Sequence, residues 1–298
     1  MQTSDVKKNR TLEIISIFAV LAVVIIVFSK TLDPVKLNRP ASASDLDQYI
    51  LDGLLLPEDT VDVAVIGDSQ AMFSLNMEMV NDEGISAFIF GRGGLSMPEA
   101  WYTVRRMYNR HSPKVVIIET NMFAETNAET SSVRADLLDV FNAAVYEYLP
   151  VFRYHSIWQN LFGFKEDVKI DHIRGFNVRE NIAPYYGGEY MFPTDSKSKI
   201  NFVRRIYMEK IIKLCKENGS EVILLSTPSA MEFDMGKHNT LTEYAEKNGV
   251  DYLDENIVWK EIGIDWTRDT VDEGYHLNKD GADKATRYLI DYLEENYQ

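Results

Sequence analysis

Four short segments, far apart in the chain, carry residues suited to acyl chemistry. Ser69 sits in Gly67-Asp68-Ser69-Gln70, directly after the apolar run Val61-Asp62-Val63-Ala64-Val65-Ile66. Such a run fits a strand buried on both faces, and a serine at its carboxyl end can lift its hydroxyl above the sheet edge. Its own backbone N–H can then face the same space. Gly, Asp and Ser are ordinary turn residues, so this tripeptide gains meaning only from its company. Gly91-Arg92-Gly93-Gly94-Leu95-Ser96 follows a second apolar run, and its glycines let backbone N–H groups approach a ligand closely. It is no phosphate loop, since neither GxGxxG nor GK[ST] is present. Glu119-Thr120-Asn121 follows a third run and offers a neutral amide donor at the same edge. Near the C-terminus, Asp272-Glu273-Gly274-Tyr275-His276-Leu277-Asn278 sets an acid shortly before a histidine. A serine, a histidine that takes its proton and an acid that orients the histidine make an activated nucleophile. Donors from the glycine turn and the asparagine would hold an oxyanion. Either Asp272 or Glu273 can supply the acid.

These segments need a scaffold that brings them to one place. The runs Val61–Ile66, Ala87–Phe90, Val115–Ile118 and Val222–Leu225 read as strands of a parallel sheet. Helical patterns separate them, among them Pro98–Tyr108, Ile200–Lys216 and a last helix from Asp280 to about Glu295. This βαβα order predicts an α/β fold, a doubly wound parallel sheet sandwich, whose ligands bind at the carboxyl ends of the strands. The stretch 126–194 breaks the alternation and is rich in aromatics, including Tyr146, Phe152, Trp158, Tyr186 and Tyr190. It is expected to be an insertion packed over that edge, either as plain aromatic packing or as a cap for sugar rings or acyl chains.

Together the four segments resemble the SGNH/GDSL hydrolase superfamily, in which a serine, a glycine, an asparagine and a histidine occur in this order. GDSQ is similar to the serine block (Ser69), GRGGLS to the glycine block (Gly94, with Gly93 in reserve), ETN to the asparagine block (Asn121) and DEGYHLN to the histidine block (His276). The usual GxND context is missing around Asn121. The family's DxxH spacing would put the acid at Glu273, whereas the usual residue type favours Asp272. The resemblance covers roughly residues 60–130 and 200–298. It implies Ser69 as nucleophile, His276 as base, Asp272 or Glu273 as its partner, and Gly94 (or Gly93) with Asn121 in the oxyanion hole. It implies no cofactor and no metal. Arg153-Tyr154-His155, Trp158 and HLNKDGA, together with an N-terminal anchor, are similar to Firmicute surface proteins. Those are distant relatives of the D-alanyl-lipoteichoic acid biosynthesis protein and the alginate O-acetyltransferases. That branch implies O-acyl transfer or ester hydrolysis on a cell-envelope glycan or teichoic acid, alongside a membrane-bound O-acyltransferase.

Leu12–Ser29 is almost wholly apolar, carrying only Glu13 as a charge. As a helix it spans roughly 27 Å, close to the hydrocarbon thickness of a bilayer. Lys7, Lys8 and Arg10 precede it and favour a cytoplasmic N-terminus, although Lys30, Lys36 and Arg39 follow. Ala41-Ser42-Ala43 has the form of a signal-peptidase site but lies too far past the apolar run. The expected organisation is a tip and membrane anchor over 1–30, a tether over 31–60 and an extracytoplasmic catalytic domain over 61–298. The 46 acidic residues against 31 basic ones give a formal charge of −15, which argues against nucleic-acid binding. Cys215, the single cysteine, falls inside an apparent helix and reads as a small buried residue. A different class of function is a catalytically idle glycan-binding or scaffold subunit. Intact Ser69, Asn121 and His276 argue against it, and a flavodoxin-like binding domain would leave that set unexplained.

Overall fold

A computed structural model describes residues 2–38, 47–124, 133–154, 159, 162–163 and 172–297. The four apolar runs and one further segment form five parallel strands: β1 (Val63–Gly67), β2 (Ala87–Gly91), β3 (Val115–Glu119), β4 (Glu221–Ser226) and β5 (Asp251–Asp254). Their order is β2-β1-β3-β4-β5, with Val63 beside both Ala87 and Val115. β1 to β3 are buried along their whole length, which is why they read as unbroken apolar runs rather than alternating ones.

The helices in chain order are α1 (Gln2–Thr31), α2 (Pro34–Leu37), α3 (Gln48–Leu54), α4 (Ser69–Ser74), α5 (Met77–Asp82), α6 (Met97–Tyr108), α7 (Val133–Tyr148), α8 (Pro150–Arg153), α9 (Phe202–Glu217), α10 (Met235–Asn248), α11 (Trp259–Ile262) and α12 (Lys279–Tyr297). Ala64 and Ile66 of β1 face one core layer with Val104 of α6, Ile211 of α9 and Leu241 of α10. Val63 and Val65 face the other, with Met72 of α4, Val80 of α5 and Leu289 of α12. Helices thus cover both faces, the doubly wound sandwich expected from the alternation. Cys215 is buried within α9, and burial pushes its thiol up to about 11.

Several expectations need correction. The tether over 31–60 is not a plain linker: Tyr49, Ile50, Leu51 and Leu54 of α3 are buried, with Gly53 packed against Phe88 and Phe90 of β2. Its composition is turn-rich only before residue 47; beyond that, Gln48–Leu54 is a short apolar helix too brief to show a period. β5 went unread because only Leu253 of its four residues is buried. Of the 126–194 stretch, residues 133–148 form α7, and 177–201 run without regular structure. His155 and Trp158 lie outside the described residues, as does Ala41-Ser42-Ala43. Arg174 and Gly175 cover the outer edge of β2, where Ile89 N–H donates to Arg174 O at 3.0 Å. In α1, the apolar span Arg10–Thr31 is long enough to cross a membrane, and its large apolar side chains from Leu12 to Val27 are mostly exposed. At its end, Leu32 packs with Leu51 and Tyr154.

Candidate active site

In a sheet of this order the crevice for ligands lies between the carboxyl ends of β1 and β3, where the chain changes direction. Ser69 follows β1 and Asn121 follows β3, so both flank that crevice. Gly67 is required there because a Cβ would come within 2.6 Å of Ala71 Cβ and 2.8 Å of Glu119 Cβ. Asp68 caps α4: its Oδ1 accepts from Gln70 N at 2.8 Å, so Ser69 stands in the first turn of the helix.

The histidine loop is fixed from within. Thr270 pairs with Leu277, Thr270 Oγ1 accepts from Gly274 N at 2.9 Å, and Val271 N donates to His276 O at 3.1 Å. Two side chains tie this loop to the serine end: Gln70 Nε2 and Ser229 Oγ each donate to Tyr275 O at 2.8 Å. His276 Nε2 lies 2.8 Å from Ser69 Oγ, and its Nδ1 lies 2.6 Å from Asp272 Oδ2. Asp272 Oδ1 also accepts from His276 N at 2.7 Å, fixing the carboxylate at two points. An Nδ1–H donated to Asp272 leaves Nε2 as the acceptor for the serine hydroxyl. Phe73 packs on the imidazole, ring centres 4.9 Å apart.

Glu273 stands elsewhere. Its backbone adopts φ +60° and its N–H donates to Ala183 O at 2.9 Å, while the carboxylate that meets His276 is that of Asp272. The one-residue displacement from DxxH is thus taken up in the turn Asp272–Tyr275, where Glu273 and Gly274 both have positive φ.

Asn121 sits in a polar floor beside the serine. Its Nδ2 donates to Asp68 Oδ2 at 3.0 Å, its N–H donates to Glu119 Oε2 at 3.0 Å, and its Oδ1 accepts from Lys237 Nζ at 3.3 Å. Burial raises the Asp68 carboxyl above its ordinary value, against hydrogen bonds from Gln70 and Asn121 that lower it. Burial, reinforced by the Asp68 charge, raises Glu119 well above the carboxylate range, and burial lowers Lys237. Gly94 has φ +65°, and a Cβ there would meet nothing within 4 Å. With Asp68, Asn121 and Lys237 it lines a cavity of about 220 Å3. Gly93 is not among the lining residues; its carbonyl accepts from Arg92 Nη1 at 3.2 Å. Arg92 itself is pinned by Glu99 and Asp47, a structural tie rather than a ligand contact.

Ser69, His276 and Asp272 are therefore joined by hydrogen bonds, Asn121 is tied to Asp68 beside the serine, and Gly94 lines a neighbouring cavity with Asp68 and Asn121; the hydrogen bonds of His276 go to Asp272 and not to Glu273. Gln70, Ser229 and Lys237 escaped sequence reasoning. Gln70 is adjacent to the serine in GDSQ and could have been weighed; nothing in Asp234-Met235-Gly236-Lys237 marks a buried lysine. Among the described residues no group of three or more His, Cys, Asp or Glu is disposed to hold a metal ion.

No protein-family profile and no curated protein matches the chain. Several solved structures align over most of the chain at low identity. A Bacteroides fragilis protein described as an acylhydrolase is 13% identical, with 85% of this chain and 97% of that one covered at a TM-score of 0.45. A GDSL-like lipase of Bacteroides thetaiotaomicron is 13% identical over 83% and 96%, at 0.41. A lipase/acylhydrolase of Enterococcus faecalis is 11% identical over 79% and 96%, at 0.41.

Proposed function

We propose that this chain is a serine acyl-ester enzyme, anchored by α1 with its catalytic domain outside the cytoplasm. It acts on a cell-envelope polysaccharide or teichoic acid through an acyl-Ser69 intermediate. One observation carries the chemistry: the unbroken chain from Ser69 Oγ through both nitrogens of His276 to Asp272, at 2.8 and 2.6 Å. Ser69 attacks the ester carbonyl while its proton passes to His276 Nε2, and Asp272 stabilises the imidazolium that forms. The oxyanion is held by the Ser69 N–H, which has no partner inside the helix, by the Gly94 N–H and by the Nδ2 hydrogen of Asn121 not given to Asp68. Collapse of the tetrahedral intermediate expels the alcohol, which leaves with the proton from His276. Water or a polymer hydroxyl then attacks the acyl-serine by the same steps in reverse.

Support for an envelope acceptor comes from α1, whose span Arg10–Thr31 suits a bilayer. Transfer rather than hydrolysis, alongside a membrane-bound O-acyltransferase as partner, fits an enzyme held at the membrane. The test uses the full chain in detergent micelles, labelled with a fluorophosphonate and read by intact mass, with aryl-acetate turnover in the same samples. Stoichiometric labelling and turnover, both lost in Ser69→Ala at unchanged thermal midpoint, are the expected results. A folded wild type with neither would overturn the serine chemistry and favour an idle glycan-binding or scaffold subunit.

A further inference from the structure

Lys237 is the least expected residue in the polar floor. It lies in the first turn of α10, is 1% exposed, and stacks its ammonium over the Phe233 ring at 5.6 Å. Lysine is almost never fully buried without a partner, because losing water around the ammonium is costly. Its hydrogen-bond partner here is Asn121 Oδ1, at 3.3 Å. The carboxylates of Glu232, Glu119, Asp234 and Asp68 add electrostatic attraction, largest first. The orientation of α10 makes the reach possible, since Asp234 caps that helix and accepts from Lys237 N at 2.9 Å.

An asparagine amide can be turned over with little change of shape, exchanging its donor and acceptor ends. Here each end has a charged neighbour of the matching sign: ammonium on Oδ1, and the Asp68 carboxylate on Nδ2 at 3.0 Å. In the reversed orientation the carbonyl oxygen would face Asp68, and the NH2 group would face the ammonium, two repulsive contacts at once. We propose that Lys237 is a positioning residue, whose contact with Asn121 Oδ1 locks the amide so that its free N–H faces the oxyanion. Lys237 acts through Asn121 and does not itself touch the reacting atoms. This inference rests on the serine-ester reading and adds to it a residue outside the four motif segments.

Lys237→Met keeps length and removes both charge and donor; Lys237→Gln keeps a donor on a shorter side chain and guards against a Met variant that does not fold. The decisive measurement is a double-mutant cycle with Asn121→Ala, following kcat and KM for aryl acetate in micelles, each variant checked by its thermal midpoint. Removing one oxyanion donor typically lowers turnover by about 10²–10³-fold, which is the expectation for Asn121→Ala. Lys237→Met is expected to lower kcat by about 10–100-fold at nearly constant KM, with Lys237→Gln between it and wild type. In the Asn121→Ala background either Lys237 substitution is expected to cost less than about twofold more. Costs that multiply instead, with Lys237→Met as harmful without Asn121 as with it, would overturn the proposal while leaving the serine chemistry standing. A wild type without turnover or Ser69 labelling overturns that chemistry, and the positioning role with it.

Discussion

Asp272→Asn tests the acid, because the substitution keeps shape and an acceptor oxygen for His276 N but removes the charge. Asp272 meets His276 at Nδ1 (2.6 Å) and at the backbone N–H (2.7 Å), and its side chain is 42% exposed. When Ser69 attacks, an imidazolium forms opposite that carboxylate. Two unit charges about 4 Å apart attract by about 1 kcal/mol in water and about 4 kcal/mol at an effective dielectric near 20. A partly exposed rim position lies between, at roughly 2–3 kcal/mol, or about 30- to 160-fold in rate. Asparagine can also donate to Nδ1 and favour the wrong tautomer, which in fully buried triads brings the loss to about 10⁴-fold. The expected fall in kcat for Asp272→Asn is therefore about 10²–10³-fold. Glu273→Gln, by contrast, should stay within about twofold of wild type, since Glu273 only turns the chain. The assay is aryl-acetate kcat, with wild type and both variants at one pH and matched folded concentration. Equal losses in the two variants, or a loss below about threefold in Asp272→Asn, would refute this assignment of the acid.

Three further outcomes concern stability, followed by thermal or denaturant unfolding in micelles. Glu255 is fully buried and, among the described residues, neither of its oxygens meets a hydrogen-bond partner; burial, then Asp254 and Glu119, raises its carboxyl well above the ordinary range. A raised folded value means that stability is present below the unfolded value near 4.5 and declines as pH rises towards the folded one, by up to about 1.4 kcal/mol per pH unit. Glu255→Gln should flatten that decline and stabilise the protein more at pH 8 than at pH 5; an unchanged slope would contradict this. Burial alone would push Asp47 up, but Arg153, Arg106 and Arg92 hold its carboxyl below the ordinary 3.8. Its contribution is therefore present above that pH and lost as pH falls through the lower folded value, and Asp47→Asn should cost about 3–5 kcal/mol at pH 7 by leaving buried guanidiniums uncompensated. Gly175→Ala should cost at least about 2 kcal/mol, because φ is +87° and the new Cβ would meet Ile89 O at 2.4 Å; a shift below about 0.5 kcal/mol would show that this turn is free to relax.

The sheet was legible in the sequence where burial is two-sided. Val63–Ile66, Phe88–Phe90 and Val115–Ile118 are buried throughout, so hydrophobicity alone marks them. β5, on the sheet edge, buries one side chain and was missed for that reason. α3 was missed because a seven-residue helix is shorter than two full turns and carries no readable period. At the site, the residues at strand ends were legible because a parallel sheet sends every carboxyl end to the same edge. Ser69, Gly94 and Asn121 each follow a strand, and His276 precedes a helix whose start is fixed by the same edge. The acid was ambiguous because a loop's turn, not its length, decides which of two neighbouring carboxylates faces a ring. That information resides in the positive φ of Glu273 and Gly274, which pattern does not encode.

Apart from Asn121, the floor of the site was not legible, and the reason is energetic. Asp68, Glu119 and Lys237 are each unfavourable when buried alone, so no local rule of composition would place any of them inside. Asn121 meets all three, Asp68 at Nδ2, Glu119 at its N–H and Lys237 at Oδ1, while Asp68 also accepts from Gln70 N. Such a set costs stability that an apolar floor would not. What it supplies in return is a single orientation for one amide beside the nucleophile. An apolar floor would leave that amide free to turn, and a donor that points at the oxyanion only part of the time stabilises it correspondingly less.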